Sequence, residues 1–121
     1  MRNRLLISVA TLALASAAVF AADDKKISGV IIDQACAERY MKKDDPQAAA
    51  EKHPASCCLK PNCAASGFAV ISGKDEIKLD ASSNDKVKEY LGKDGVSTKV
   101  DVTGTQNADG TVTVTSIDAQ K

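Results

Sequence analysis

Tryptophan is absent from this chain, phenylalanine and tyrosine occur twice each, and there is a single histidine. A protein so poor in flat side chains has no stacking platform for single-stranded nucleic acid. Neither sign of charge is in excess, with 16 basic and 16 acidic residues. There is accordingly no electrostatic case for nucleic acid or an anionic membrane as a partner. Also missing are a phosphate-binding loop, a dinucleotide fingerprint, a nucleophile elbow and any internal repeat. Those absences remove the nucleotide-binding and serine-hydrolase classes that such motifs mark.

What is present begins with a leader. Arg2 and Arg4 give a positive start, and Leu5 to Phe20 is apolar or small apart from Ser8, Thr11 and Ser16. Val19-Phe20-Ala21 then offers a small-residue exit ahead of Asp23-Asp24. Residues 1–22 read as a secretory signal peptide, with cleavage after Ala21. The 16-residue run Leu5–Phe20 falls short of the roughly 20 residues that a spanning helix needs. That argues against an uncleaved anchor and against stable membrane insertion after cleavage. Losing Arg2 and Arg4 leaves 14 basic against 16 acidic residues, formally −2. Residues 23–121 are then one exported domain, periplasmic or secreted, in an oxidising compartment. At roughly 100 residues, its core is thin enough to gain from staples.

The period of the apolar residues yields five strands and one helix. Ile27, Val30, Ile31 and Ile32 form a first strand bent near Gly29, and Phe68-Ala69-Val70-Ile71 a second, bounded by Gly67 and Gly73. Ile77 and Leu79 alternate with polar residues as a third. Val87, Tyr90 and Leu91 then fall at helical spacing, with Ser83 or Asn84 to cap the start and Gly92 or Gly95 to end it. Val100 and Val102, then Val112 and Val114, alternate as two closing strands across the Asn107-Ala108-Asp109-Gly110 turn. The order β-β-β-α-β-β is that of a small five-stranded barrel of the OB type, a mainly β fold. A simple meander with one packed helix is the rival.

Residues 34–66 are inserted between the first two strands. Gln34 to Lys43 has helical composition. Asp45-Pro46 supplies the cap and first residue of a second short helix that His53-Pro54 ends. In or beside this insertion lie all four cysteines and the histidine: Cys36, His53, Cys57, Cys58 and Cys63.

Several stretches also resemble a family of small exported bacterial proteins of uncharacterised function. They are Gly29-Val30-Ile31-Ile32-Asp33 followed by Cys36, then His53-x3-Cys57-x5-Cys63, then Ala65-Ser66-Gly67-Phe68-Ala69-Val70. The pattern continues through Lys78-Leu79-Asp80, Val100-Asp101-Val102-Thr103-Gly104 and the strand from Val112 to Ile117. The resemblance implies an exported single domain with an OB-like barrel, and a common role for Cys36, His53, Cys57 and Cys63. It brings no activity with it. Cys58 is an addition to that pattern, and it makes complete pairing of the cysteines possible.

Three chemistries fit the cluster. As disulfides, the vicinal Cys57–Cys58 bond strains the backbone, leaving Cys36–Cys57 with Cys58–Cys63, or Cys36–Cys58 with Cys57–Cys63. A bridge across about 20 residues stabilises by roughly 3 kcal/mol in the chain-entropy model, and His53 is then a surface residue at a helix end. As a metal site, Cys36, His53, Cys57 and Cys63 give three thiolates and an imidazole for zinc or Cu(I). Against it stand the missing C-x2-C knuckle and the oxidising compartment. As a thiol-redox centre, Lys52, His53 or Lys60 would have to lower one thiol, with Cys58 or Cys63 resolving a mixed disulfide. The C-x-x-C of such enzymes is absent, and so is the C-x-x-C-H that attaches haem. Asp33, Glu38, Asp44 and Asp45 lie nearby but read as solvated charges, so no catalytic pair is named. The leading expectation is a non-enzymatic binding or interaction module, stapled by disulfides, with a protein or envelope ligand as its partner.

Overall fold

Two apolar patterns decide how each strand sits. Where apolar and polar residues alternate, one face of the strand meets water; where the apolar run is continuous, both faces are covered. The computed structural model describes residues 24–120, so the leader read in residues 1–22 lies outside the described residues. Among them no helix is long and apolar enough to cross a membrane.

Strand β1 (Asp24–Asp33) shows both patterns in one strand. Its first half alternates, with Ile27 turned inward, and pairs antiparallel with β4 (Lys99–Gln106) from Asp24↔Thr105 to Val30↔Lys99. Its second half, Val30 to Asp33, is buried throughout and pairs antiparallel with β2 (Phe68–Ser72). The changeover falls at Gly29, where any Cβ would run into the Ile71 carbonyl; only glycine permits so close an approach. Strand β3 (Asp75–Lys78) pairs with β2, and β5 (Val112–Ala119) with β4 across a bulge at Thr103/Gly104. The sheet order is β3-β2-β1-β4-β5. All five expected strands are present, in the expected sequence order.

The sheet is not closed. Its two edges meet at a single parallel bridge, Leu79 to Val112, supported by the Asp80 N–H donating to the Val112 carbonyl at 2.9 Å. A barrel would need a ladder there. Beside the bridge, the Asp80 carboxylate accepts from the Ser82 and Ser83 hydroxyls, the Ser83 N–H, the Asn107 amide and the Thr113 hydroxyl. Desolvation acts to raise this carboxyl, but the hydrogen bonds outweigh it and hold it at about 2.

Helix α5 (Asn84–Leu91) buries Val87, Tyr90 and Leu91, as their spacing predicts. Its start differs from expectation: Ser83 makes no capping bond to the helix. The Ser83 hydroxyl instead donates to Asp80 and accepts from the Val114 N–H, while Asp80 caps the 3-10 turn Ala81–Ser83 that leads into the helix.

The insertion forms four short helices, not two: α1 (Gln34–Met41), α2 (Pro46–Ala50), α3 (Ala55–Cys58) and α4 (Pro61–Ala65). As expected, Asp45 caps α2 and Pro46 is its first residue. The two additional helices are one turn each, too short to show an apolar period. Helices α1 and α2 pack against β1 and β2, which is why Val30–Asp33 and Phe68–Ile71 are buried on both faces.

Candidate metal centre

Asp33 ends β1 and caps α1. Its backbone stays extended, and its Oδ2 accepts the Cys36 N–H at 3.0 Å. An aspartate in that position normally meets water. Here the second half of β1 lies beneath the insertion, and Asp33 is fully buried. The sequence reading of Asp33 as a solvated charge is therefore corrected. Glu38, Asp44 and Asp45 are exposed, as expected.

A buried carboxylate needs partners, and the insertion supplies them. His53 follows α2, where its N–H bonds back to the Ala50 carbonyl at 2.9 Å. Its Nε2 lies 3.2 Å from Asp33 Oδ1, and its Nδ1 lies 3.2 Å from the Tyr40 hydroxyl. The Tyr40 and His53 rings meet edge to face, with centroids 5.5 Å apart. His53 is buried, not the surface residue that a purely structural role of the cysteines suggested. Two proton arrangements satisfy this chain of contacts. A neutral ring donates from Nε2 and accepts the Tyr40 proton at Nδ1; an imidazolium donates from both nitrogens.

The thiols complete the shell. The ligand atoms of Asp33, His53 and Cys58 lie within 4.8 Å of one another, as do those of Asp33, Cys36 and Cys63. Cys58 is completely buried at the end of α3, while Cys36 in α1 and Cys63 in α4 are half-buried. Cys57 belongs to neither group. The reason is helical spacing: Ala55, Cys58 and Leu59, at i, i+3 and i+4, face the core. Cys57 points away from that stripe. Of the expected ligand set, Cys36 and Cys63 fall in one group, His53 in the other and Cys57 in neither; Cys58, in one group, and Asp33, in both, stood outside that set. All four cysteines are free thiols. The two thiols that do approach one another, Cys36 and Cys63, belong to the pairing whose complement is the strained vicinal bond.

Burial, followed by hydrogen bonding to Asp33 and its charge, pushes the Cys36 thiol up to about 11, with Cys63 adding and Arg39 opposing. Burial likewise pushes Cys58 up to about 12, against a lowering contribution from the Asp33 backbone. Thiols held in the protonated form are slow nucleophiles, which counts against rapid redox turnover by either residue but not against slow disulfide exchange. A bound cation would reverse that balance, because it favours the thiolate and is itself favoured by the carboxylate.

Asp33 and Tyr40 were the participants that spacing alone did not reveal. For Asp33 a signal exists: an aspartate closing a continuous apolar run, just before a helical segment, is an N-cap carried into the core. Compared with protein-family models, curated proteins and solved structures, the chain matches none of them.

Proposed function

We propose that this chain is a soft-metal-binding protein, taking Zn2+ or Cu(I) through Asp33, Cys36, His53, Cys58 and Cys63. The observation that carries the reading is Asp33 itself, a fully buried carboxylate shared by two sets of thiol and imidazole donors, each within 4.8 Å. Zinc–ligand bonds of about 2.0–2.3 Å set neighbouring donors of a tetrahedral ion roughly 3.3–3.8 Å apart. Within each of the two sets the donors already lie within 4.8 Å and need close by at most about 1.5 Å to reach that spacing. An ion on His53 Nε2 would take the place of the proton between that nitrogen and Asp33. Nδ1–H would then donate to Tyr40, which fixes the ring in the way outer partners of metal-bound histidines do. Soft thiolates suit zinc and Cu(I) over hard cations.

We read the frame as OB-like: the strand order β3-β2-β1-β4-β5 and the parallel bridge from Leu79, just after β3, to Val112 of β5 support that reading. Arg2, Arg4 and the apolar run after them support export to the periplasm or beyond.

The test is titration of reduced protein with Zn2+, and separately with Cu(I) against a chromophoric competitor. One equivalent should bind. Asp33→Asn and Cys58→Ser should each weaken binding by about 100-fold or more, while Cys57→Ser should leave it unchanged. Failure of both ions to bind, or Cys57→Ser proving as damaging as Cys58→Ser, would sink the reading. A second reading, an interaction module stapled for a protein or envelope partner, is favoured by the approach of Cys36 to Cys63. In that case native protein would carry a disulfide and no ion.

A further inference from the structure

The two donor sets around Asp33 differ in access. Asp33, His53 and Cys58 are buried, whereas Cys36 and Cys63 are half-buried and reachable from solvent. Cys36 and Cys63 come from different helices, α1 and α4, and their sulfurs lie within 4.8 Å of each other. One pair of thiols therefore faces an oxidant, while the third thiol of the centre does not.

We infer that Cys36 and Cys63 form a reversible disulfide that controls occupancy of the metal centre; this rests on the metal reading above. Reduced, the centre offers five donors. Oxidised, both outer sulfurs are tied to each other and only Asp33, His53 and Cys58 remain. The oxidant is a small-molecule disulfide such as oxidised glutathione. One cysteine sulfur, as its thiolate, attacks the glutathione disulfide, forming a mixed disulfide and releasing one glutathione thiolate. The second cysteine sulfur, also as its thiolate, attacks the mixed disulfide. The Cys36 Sγ–Cys63 Sγ bond forms and a second glutathione leaves. Two thiols lose two protons and two electrons, and the glutathione disulfide takes up both to become two thiols. A bound ion occupies the same sulfurs, so metal and oxidant compete for them.

The full exported chain is equilibrated in buffers of reduced and then oxidised glutathione, freed of glutathione and divided. One part is unfolded, alkylated and mapped by peptide mass. The other is titrated with Zn2+ and with Cu(I). The expected oxidised form carries one Cys36–Cys63 bond, keeps Cys57 and Cys58 as alkylatable thiols, and binds each ion at least about 100-fold more weakly than the reduced form. Saturating Zn2+ beforehand should slow formation of the bond. In Cys63→Ser, affinity should no longer respond to the glutathione ratio. A bond to Cys57 or Cys58, or equal affinity in the two states, overturns this control and leaves the metal reading standing. Reduced protein that binds neither ion overturns both.

Discussion

Asp33 and Asp80 are built by the same local rule and put to different use. Each ends a strand or its extension and each caps the helical turn that follows. Each is also withdrawn from water, Asp33 completely and Asp80 in part. Their neighbours differ. Asp80 is saturated by hydroxyls, an amide and a backbone N–H, none of which binds a soft ion. These bonds join the two edges of the sheet and leave the carboxylate locked in its charged form. Asp33 has one backbone N–H and an imidazole, and its remaining surroundings are thiols. A cap satisfied by hydroxyls is architecture; a cap surrounded by sulfur and nitrogen is, on the proposed reading, also a ligand.

Removing each carboxylate breaks the comparison at its strongest point. Asp33→Ala should cost about 3 kcal/mol or more, because it leaves a buried imidazole and a buried N–H facing an empty space. Urea unfolding would measure it, and a loss below about 1 kcal/mol would mean that His53 finds another partner. Asp80→Ala should cost less, about 1–2 kcal/mol, since Ser82, Asn107 and Thr113 lie nearer water and can rehydrate, leaving only Ser83 buried. Metal affinity should stay intact in that variant. The smallest effect is in pH. The carboxyl of Asp80 is held at about 2, below the roughly 3.9 of an unfolded aspartate. Its stabilising contribution is thus fully present above about pH 4 and is lost as pH falls through about 2. Asp80→Asn should flatten the stability profile over that interval. An unaltered profile would mean that other carboxylates carry the acid sensitivity.

The frame was legible in the sequence because its elements are long enough to display a period. Val100/Val102 and Val112/Val114 alternate, Val87/Tyr90/Leu91 recur at helical spacing, and Asp45-Pro46 and Asn107–Gly110 announce a cap and a turn. The closing bridge was not legible, since one contact between Leu79 and Val112 leaves no pattern. Within the site, the cysteines and His53 stood out by type. The choice between Cys57 and Cys58 depended on helix α3, a single turn whose phase is visible only once Ala55 and Leu59 are seen to face the core. Asp33 was misread because a carboxylate at the end of a strand is ordinarily solvated. Its burial comes from α1 and α2 folding back over β1 and β2, a tertiary event with no local signature.

The pairing of Asp33 with Phe68 closes the whole insertion into a loop held at its base by β1 and β2. The entropy of closing such a loop rises slowly with length, by only about 0.6 kcal/mol for each doubling. Residues could be added to it, removed from it or rearranged without disturbing the Asp80 lock, and the side-chain tie from the insert to β4 is the exposed Lys99–Glu51 pair. Four of the five proposed donors ride on that insert, and Asp33 alone belongs to the frame. Whatever chemistry a variant of this insert carried, it would meet the same carboxylate at its entrance, buried wherever the insert folds back over β1 and β2.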